Sequence, residues 1–309
     1  MKAIMYHYVQ EVDISLPYFK FLDIDNFKKQ LDYFERLFGF VNFDDFINSF
    51  VTGEVPKGVV LTFDDALMCH YSYVYKELKR RNLWGIFYVP TLPYSSGKIL
   101  DVHRVHLLLG LAPSKDIYVF LKSLISPEIL DSAKYDEFLK NTYTFQNNDE
   151  YTTYIKRSMN YFISYKYRSL ILDLLMNKFV PNEHDYARVF YMSEQNITEM
   201  KESGMLIGSH SVDHSVMSRL TVSGQKQQIN DSIKYLEGLL GTLQVKTFCY
   251  PYGGFTSFTA DTEEILTKEG FLFSFNVEHR DVTRDDLILR SQALPRYDCN
   301  FFQYGKCNI

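Results

Sequence analysis

The sequence predicts an α/β fold built on a parallel sheet or barrel and carrying a large helical insertion, and three observations support that expectation. Amphipathic helical stretches, a glycine and a short apolar run recur in that order along much of the chain. Carboxylates and histidines stand just past the ends of several of the apolar runs. Between about Pro93 and Tyr191 the rhythm lapses into helical sequence rich in Tyr and Phe, with no strand-like alternation.

Taken in order, Ala3-Ile4-Met5 reads as a first strand leading to His7. Phe27, Leu31, Phe34 and Phe38 share one helical face, Gly39 suits the left-handed position after a helix, and Phe40-Val41 reads as the start of the next strand. Val59-Val60-Leu61 predicts a strand, 71–82 a helix with Lys79, Arg80 and Arg81 at its favourable end, and Ile86–Val89 another strand. After the insertion, the helix 194–203 ends at Gly204 before Met205-Leu206-Ile207. Ile229, Ile233, Leu236 and Leu240 line a helix ahead of Gly241 and a strand around Phe248. A last helix, 260–269, stops at Gly270 before a strand at Phe271–Phe275. The boundaries that follow are a barrel over 1–92 and 192–309 and a helical insertion over 93–191.

Composition narrows the function classes. With 46% hydrophobic and 23% charged residues and only 15 Gly and 9 Pro in 309, the chain is globular and not disordered. Its net charge of −5, from 33 basic and 38 acidic residues with no long run of one sign, sets aside nucleic acid and anionic lipid as partners. Cys69, Cys249, Cys299 and Cys307 form no CxxC pair and are too sparse for a disulfide scaffold, which points to reduced thiols in the cytoplasm. The first residues lack a basic then apolar leader pattern, and no stretch has the apolar length of a membrane span.

Two strand ends carry chemistry. The run Val59 to Phe63 leads into the adjacent carboxylates Asp64 and Asp65, and Met205 to Ser209 leads into His210 and His214, four apart. A turn would bring both imidazoles to one side, and one carboxylate added to them makes a two-His, one-Asp set that leaves positions open on a cation. Of the two carboxylates, one would bind the metal and the other take a proton. At a third strand end, Tyr250-Pro251-Tyr252-Gly253-Gly254 reads as a rigid loop or simply a turn. His103 and His106, three apart in the insertion, read as polar packing or a contact with the main site before a second metal site.

Thr62-Phe63-Asp64-Asp65, His210-Ser211-x-x-His214 and Tyr250-Pro251-Tyr252-Gly253, in this order and at strand ends, resemble the first three motifs of the polysaccharide deacetylases, carbohydrate esterase family 4. The resemblance implies a distorted (β/α)7 barrel and divalent-metal-dependent hydrolysis of N-acetyl, sometimes O-acetyl, groups on sugars. It implies Asp64 as general base, Asp65, His210 and His214 as metal ligands with Zn2+ the first expectation, and the backbone N–H of Tyr252 as an oxyanion donor.

The chain departs from the pattern in three places. Cys249 stands where many members have an arginine, and Arg296 in Leu294-Pro295-Arg296 resembles an element of the Tyr-Pro-Tyr-Gly relatives that makes it the candidate to orient the base. The usual C-terminal Leu-x-x-His, source of the general acid, is missing. Met5-Tyr6-His7 instead resembles the arrangement in poly-N-acetylglucosamine deacetylases, so His7 is the expected acid and His279 its nearest competitor. Asp65 and His210 are also spaced more widely than in compact members, and the insertion, expected over or beside the mouth formed by His7, Asp64 and His214, accounts for the excess. The expected substrate is an acetamido sugar, free or carrier-linked, as a glycan precursor or oligosaccharide. Two rival readings remain: a non-haem Fe(II) oxygenase, which the same ligand set suits, and a catalytically silent sugar-binding protein.

Overall fold

The computed structural model describes residues 1–307 apart from 132, 134, 145–147 and 181. They divide into two compact units, one of Met1–Val12, Phe21–Ser96 and the chain from Val189 on, the other of Asp13–Lys20 and Gly97–Arg188.

The first unit is built on seven strands: β1 (Lys2–Tyr6), β2 (Val59–Phe63), β3 (Ile86–Val89), β4 (Leu206–Ser209), β5 (Thr247–Cys249), β6 (Phe273–Phe275) and β7 (Tyr297–Asp298). All neighbours pair in parallel, in the order β6-β5-β4-β3-β2-β1-β7. Every residue of β2 and β3 is buried, as expected of parallel strands covered on both faces. Closure comes from the segment before β7. Leu294 bridges Phe275, its N–H donating to the Ser274 carbonyl at 2.8 Å, and three residues later Tyr297 pairs with Ile4 of β1. One short stretch thus touches both sheet edges and curls the sheet into the distorted (β/α)7 barrel.

Alternate strand residues serve two cores. Ile4, Tyr6, Leu61, Phe63, Phe87 and Val89 cluster with Phe27, Leu31 and Phe34 of the helix Ile24–Leu37, while Ala3, Val60, Ile86, Tyr88, Cys249, Phe273 and Phe275 form a second cluster with Phe46. Full burial of each Phe or Leu contributes about 1.5–3 kcal/mol. Gly208 is required by packing, because a Cβ there would sit 2.5 Å from the Tyr88 ring, whose hydroxyl meets Thr247 Oγ1 at 2.9 Å. Gly39, at φ +70°, ends the first helix as its left-handed residue.

Two local expectations need correction. Phe40-Val41 does not open a strand: Phe40 makes one bridge to Val59, and the Asn42 side chain then accepts the Asp45 N–H at 2.7 Å and caps the helix Phe43–Thr52. The seventh strand is Tyr297–Asp298 instead. The stretch 71–82 is not one α-helix but a π-helical turn, His70–Tyr75, followed by the α-helix Lys76–Arg80.

In the second unit the helices Asp101–Leu111, Ser114–Leu124, Glu150–Arg157 and Tyr165–Phe179 bury Val105, Leu108, Ile117, Leu121, Ile155, Met159, Leu172 and Leu175 together. The unit takes in Asp13–Lys20 as well as the later stretch, because the Tyr18 N–H donates to the Gly110 carbonyl and Phe19 packs on Gly110. His103 is buried with its ring 5.9 Å from that of His106. Among the described residues the pair is not part of any converging group of three metal-ligand side chains, and no helix is long and apolar enough to cross a membrane.

Candidate active site

At the end of β2 the last ladder bond runs from the Asp64 N–H to the Tyr6 carbonyl at 3.0 Å. The backbone then turns sharply, with Asp65 at φ +84° and Ala66 at φ +53°, a conformation that costs energy in any residue but glycine. This turn sends the two adjacent carboxylates to different partners.

Asp65 faces the histidines. Its Oδ1 lies 3.4 Å from His210 Nε2 and 3.5 Å from His214 Nε2, and all three side chains are buried. One ligand atom from each of the three falls within 4.8 Å of the others. The loop from His210 to His214 is irregular and heavily braced: the Val212 and Asp213 N–H groups donate to Gln228 Oε1 at 3.0 and 3.1 Å, and the His214 N–H to Ser211 Oγ at 3.0 Å. Ser211 and His214 both have positive φ, so the expected turn is present and the two rings meet edge to face at 4.7 Å. His210 Nδ1 lies 2.8 Å from the Cys249 carbonyl, which can only accept, so Nδ1 carries a hydrogen and Nε2 is the ring nitrogen that faces Asp65 and could ligate a cation. Two imidazoles and one carboxylate converging in this way form a donor set that fits a divalent cation of the zinc type.

Asp64 turns to Arg296. Nη1 and Nη2 reach Oδ1 and Oδ2 at 2.8 Å each, a two-pronged ion pair with both partners buried. Nη1 also donates to Thr62 Oγ1 at 2.9 Å, and Nε to the Asn276 carbonyl at 3.3 Å. Burial alone would raise the Asp64 pKa, but the Arg296 charge and hydrogen bonds, with smaller help from His210 and His7, bring it down to about 2. Cys249 lies against this pair, its sulfur 2.9 Å from Arg296 Nη2 and 3.4 Å from Asp64 Oδ2. Arg296 thus brings its guanidinium against Asp64 beside position 249, where the small cysteine side chain leaves room for it.

His7, one residue past β1, places Nε2 at 3.9 Å from Asp65 Oδ2. Its side chain is 37% exposed, against at most 6% for Asp65, His210 and His214, so it stands on the solvent side of the cluster. Tyr252 occupies the third position of a turn closed by the Gly253 N–H on the Tyr250 carbonyl at 3.1 Å; Pro251 precedes it, and its φ is +67°, as a type II turn requires. The Tyr252 ring contacts His214 at 4.8 Å. His279 stacks on Phe301 at 3.8 Å.

One buried group escaped the sequence reading: His70, whose Nε2 lies 2.6 Å from the His7 carbonyl oxygen. Its only signal was an isolated histidine heading the aromatic stretch His70-Tyr71-Ser72-Tyr73-Val74-Tyr75.

Residues 171–272 match the family described as polysaccharide deacetylase. That stretch contains His210, His214 and Tyr252 but not Asp64 or Asp65. No curated protein sequence matches the chain. Among solved structures, the chain is similar to the Streptococcus pyogenes deacetylase PplD in complex with acetate, at 16% identity and a TM-score of 0.59 over 96% of this chain and 91% of that one. It is also similar to IcaB from Ammonifex degensii, at 18% identity and a TM-score of 0.55 over 96% and 90% of the two chains. For the deacetylase domain of BpsB from Bordetella bronchiseptica the figures are 15%, 0.52, and 96% of each chain. At these identities the likeness is one of fold. Family match and fold together bear out the resemblance of this chain to the polysaccharide deacetylases of carbohydrate esterase family 4.

Proposed function

We propose that the chain is a metal-dependent hydrolase that removes the acetyl group from an N-acetylated sugar, free or carrier-linked. The observation that carries this reading is the division of labour between adjacent carboxylates: Asp65 faces His210 and His214, while Asp64 is clamped by Arg296. Asp65, His210 and His214 would hold the cation, Zn2+ foremost. When bound, such an ion supplies a Lewis acid and lowers the pKa of its water to about 7.

The remaining steps belong to the chain. Asp64 is ionised over the working pH range and accepts the proton of the attacking water as the base. Its Oδ1 keeps a lone pair beyond the one Arg296 uses, whereas Oδ2 accepts from both Arg296 and the Cys249 thiol. The Tyr252 N–H, on a turn braced by the Gly253–Tyr250 hydrogen bond, would donate to the oxyanion as the carbonyl becomes tetrahedral. The C–N bond breaks only if the departing nitrogen takes up a proton, and His7, on the open side of the cluster, supplies it. The products are acetate and a free amino sugar, and the acetate in the PplD structure is the small product such a reaction releases.

Mass spectrometry of the metal-loaded protein with a panel of N-acetylated sugars, free and carrier-linked, tests this, with loss of one acetyl group as the expected result. Oxygen consumption with Fe(II) and no acetate release would instead support an oxygenase. Binding of the sugars without turnover would make the chain a silent sugar-binding protein.

A further inference from the structure

We propose that His70 is a positioning residue that aims His7 by holding its backbone carbonyl, an inference that rests on His7 being the general acid as read above. The need for such a hold is visible in the ladder. β1 pairing ends at Tyr6, and the next paired residue is Val9, in a short strand with Leu22. His7 therefore leaves the sheet at the point where its side chain must be placed, and its carbonyl has lost the strand partner that served Tyr6. Little else restrains it, because the side chain is more than a third exposed and its nearest ion-pair contact is 3.9 Å away.

His70 provides the replacement. Its ring is fully buried, edge-on to Phe63 at 5.7 Å and Phe87 at 6.0 Å, and Nε2 lies 2.6 Å from the His7 oxygen. A carbonyl oxygen only accepts, so Nε2 carries the hydrogen. Burial pushes the imidazole pKa down to about 4, with the His7 carbonyl opposing in part, so the ring is neutral and offers one fixed donor. The π-helical turn that begins at His70 is the local irregularity at this point, and such turns recur at functional sites. By fixing the peptide plane after His7, the bond sets the direction in which the His7 side chain leaves the backbone.

The test uses His70→Leu, which removes the donor at similar volume, and His70→Gln, whose amide can reach the same carbonyl. Turnover is measured on the N-acetylglucosamine pentamer and on 4-nitrophenyl acetate, an ester whose departure needs little protonation, with thermal unfolding as a check on the fold. His70→Leu should lower kcat on the amide about tenfold, with KM and ester turnover little changed, as expected when general-acid catalysis is impaired. His70→Gln should recover most of the loss, and in a His7→Ala background His70→Leu should add nothing. Equal loss on amide and ester, or multiplicative loss with His7→Ala, would reduce His70 to a core residue. Full amide turnover by His7→Ala would remove the acid reading itself, a separate result. Independently of any substrate, histidine 15N spectra should show His70 as the neutral Nε2–H tautomer with a slowly exchanging proton; an Nδ1–H tautomer overturns the proposal.

Discussion

Arg296 holds Asp64 through two parallel hydrogen bonds of 2.8 Å across 232 positions of sequence, and it does so from the segment that closes the barrel. The Asp64 carboxylate is therefore paired from the same short segment that closes the barrel.

Breaking that pair should cost both stability and activity. Arg296→Met leaves the Asp64 carboxylate buried without its counter-charge and should destabilise the chain by about 3–5 kcal/mol in urea unfolding. Arg296→Lys keeps the charge but loses the planar fork, and should fold while losing about tenfold or more in turnover. Wild-type stability for the methionine variant would show that the pair is not what holds Asp64.

The two carboxylates should separate by phenotype. Asp64→Asn should keep the cation and lose hydrolysis by on the order of 10²-fold or more, the usual contribution of a general base. Asp65→Asn should weaken cation binding. Equal metal loss in both variants, measured by elemental analysis, would collapse the distinction.

One divalent cation per chain is expected, and His210→Ala and His214→Ala should each lower its occupancy. Because the cation would bind only the folded chain, loading at about a hundred times Kd should add about 2.7 kcal/mol, seen as a rise in Tm that a chelator reverses. Full occupancy in both alanine variants would rule out the site.

Acid stability should depend on Glu77. Hydrogen bonds from Arg80 lower its carboxyl pKa, burial opposes them, and Arg81 adds to the lowering, leaving it at about 2 instead of 4.5. A carboxylate depressed in the folded state stabilises fully above its unfolded pKa, and the contribution fades as pH falls from about 4.5 to about 2. Glu77→Gln should lower stability at neutral pH and flatten its decline across that window in urea unfolding at stepped pH.

What could be read from the sequence was what is local in it. Asp64, Asp65, His210 and His214 each follow an apolar run directly, so the runs identified both the strands and the end of the barrel where the groups gather. The Asp64 partner was harder to read because it depends on closure: Leu294-Pro295-Arg296 has no apolar run of its own, and β7 behind it is two residues long. Phe40-Val41 misled because apolar residues suit a strand, whereas Asn42 prefers to cap the following helix. The π-helical turn at His70 was invisible to a search for 3.6-residue periodicity, since one wide turn shifts the phase of the residues after it.

Closure by the segment 294–298 also bears on how the chain is made. Synthesis runs from the N-terminus, so the carboxylates and histidines leave the ribosome well before Arg296 does. Until then the nascent barrel lacks both its closing contact and the counter-charge for Asp64. A fragment released early would hold a buried, unpaired carboxylate and an open sheet edge, features that mark an unfinished chain for degradation.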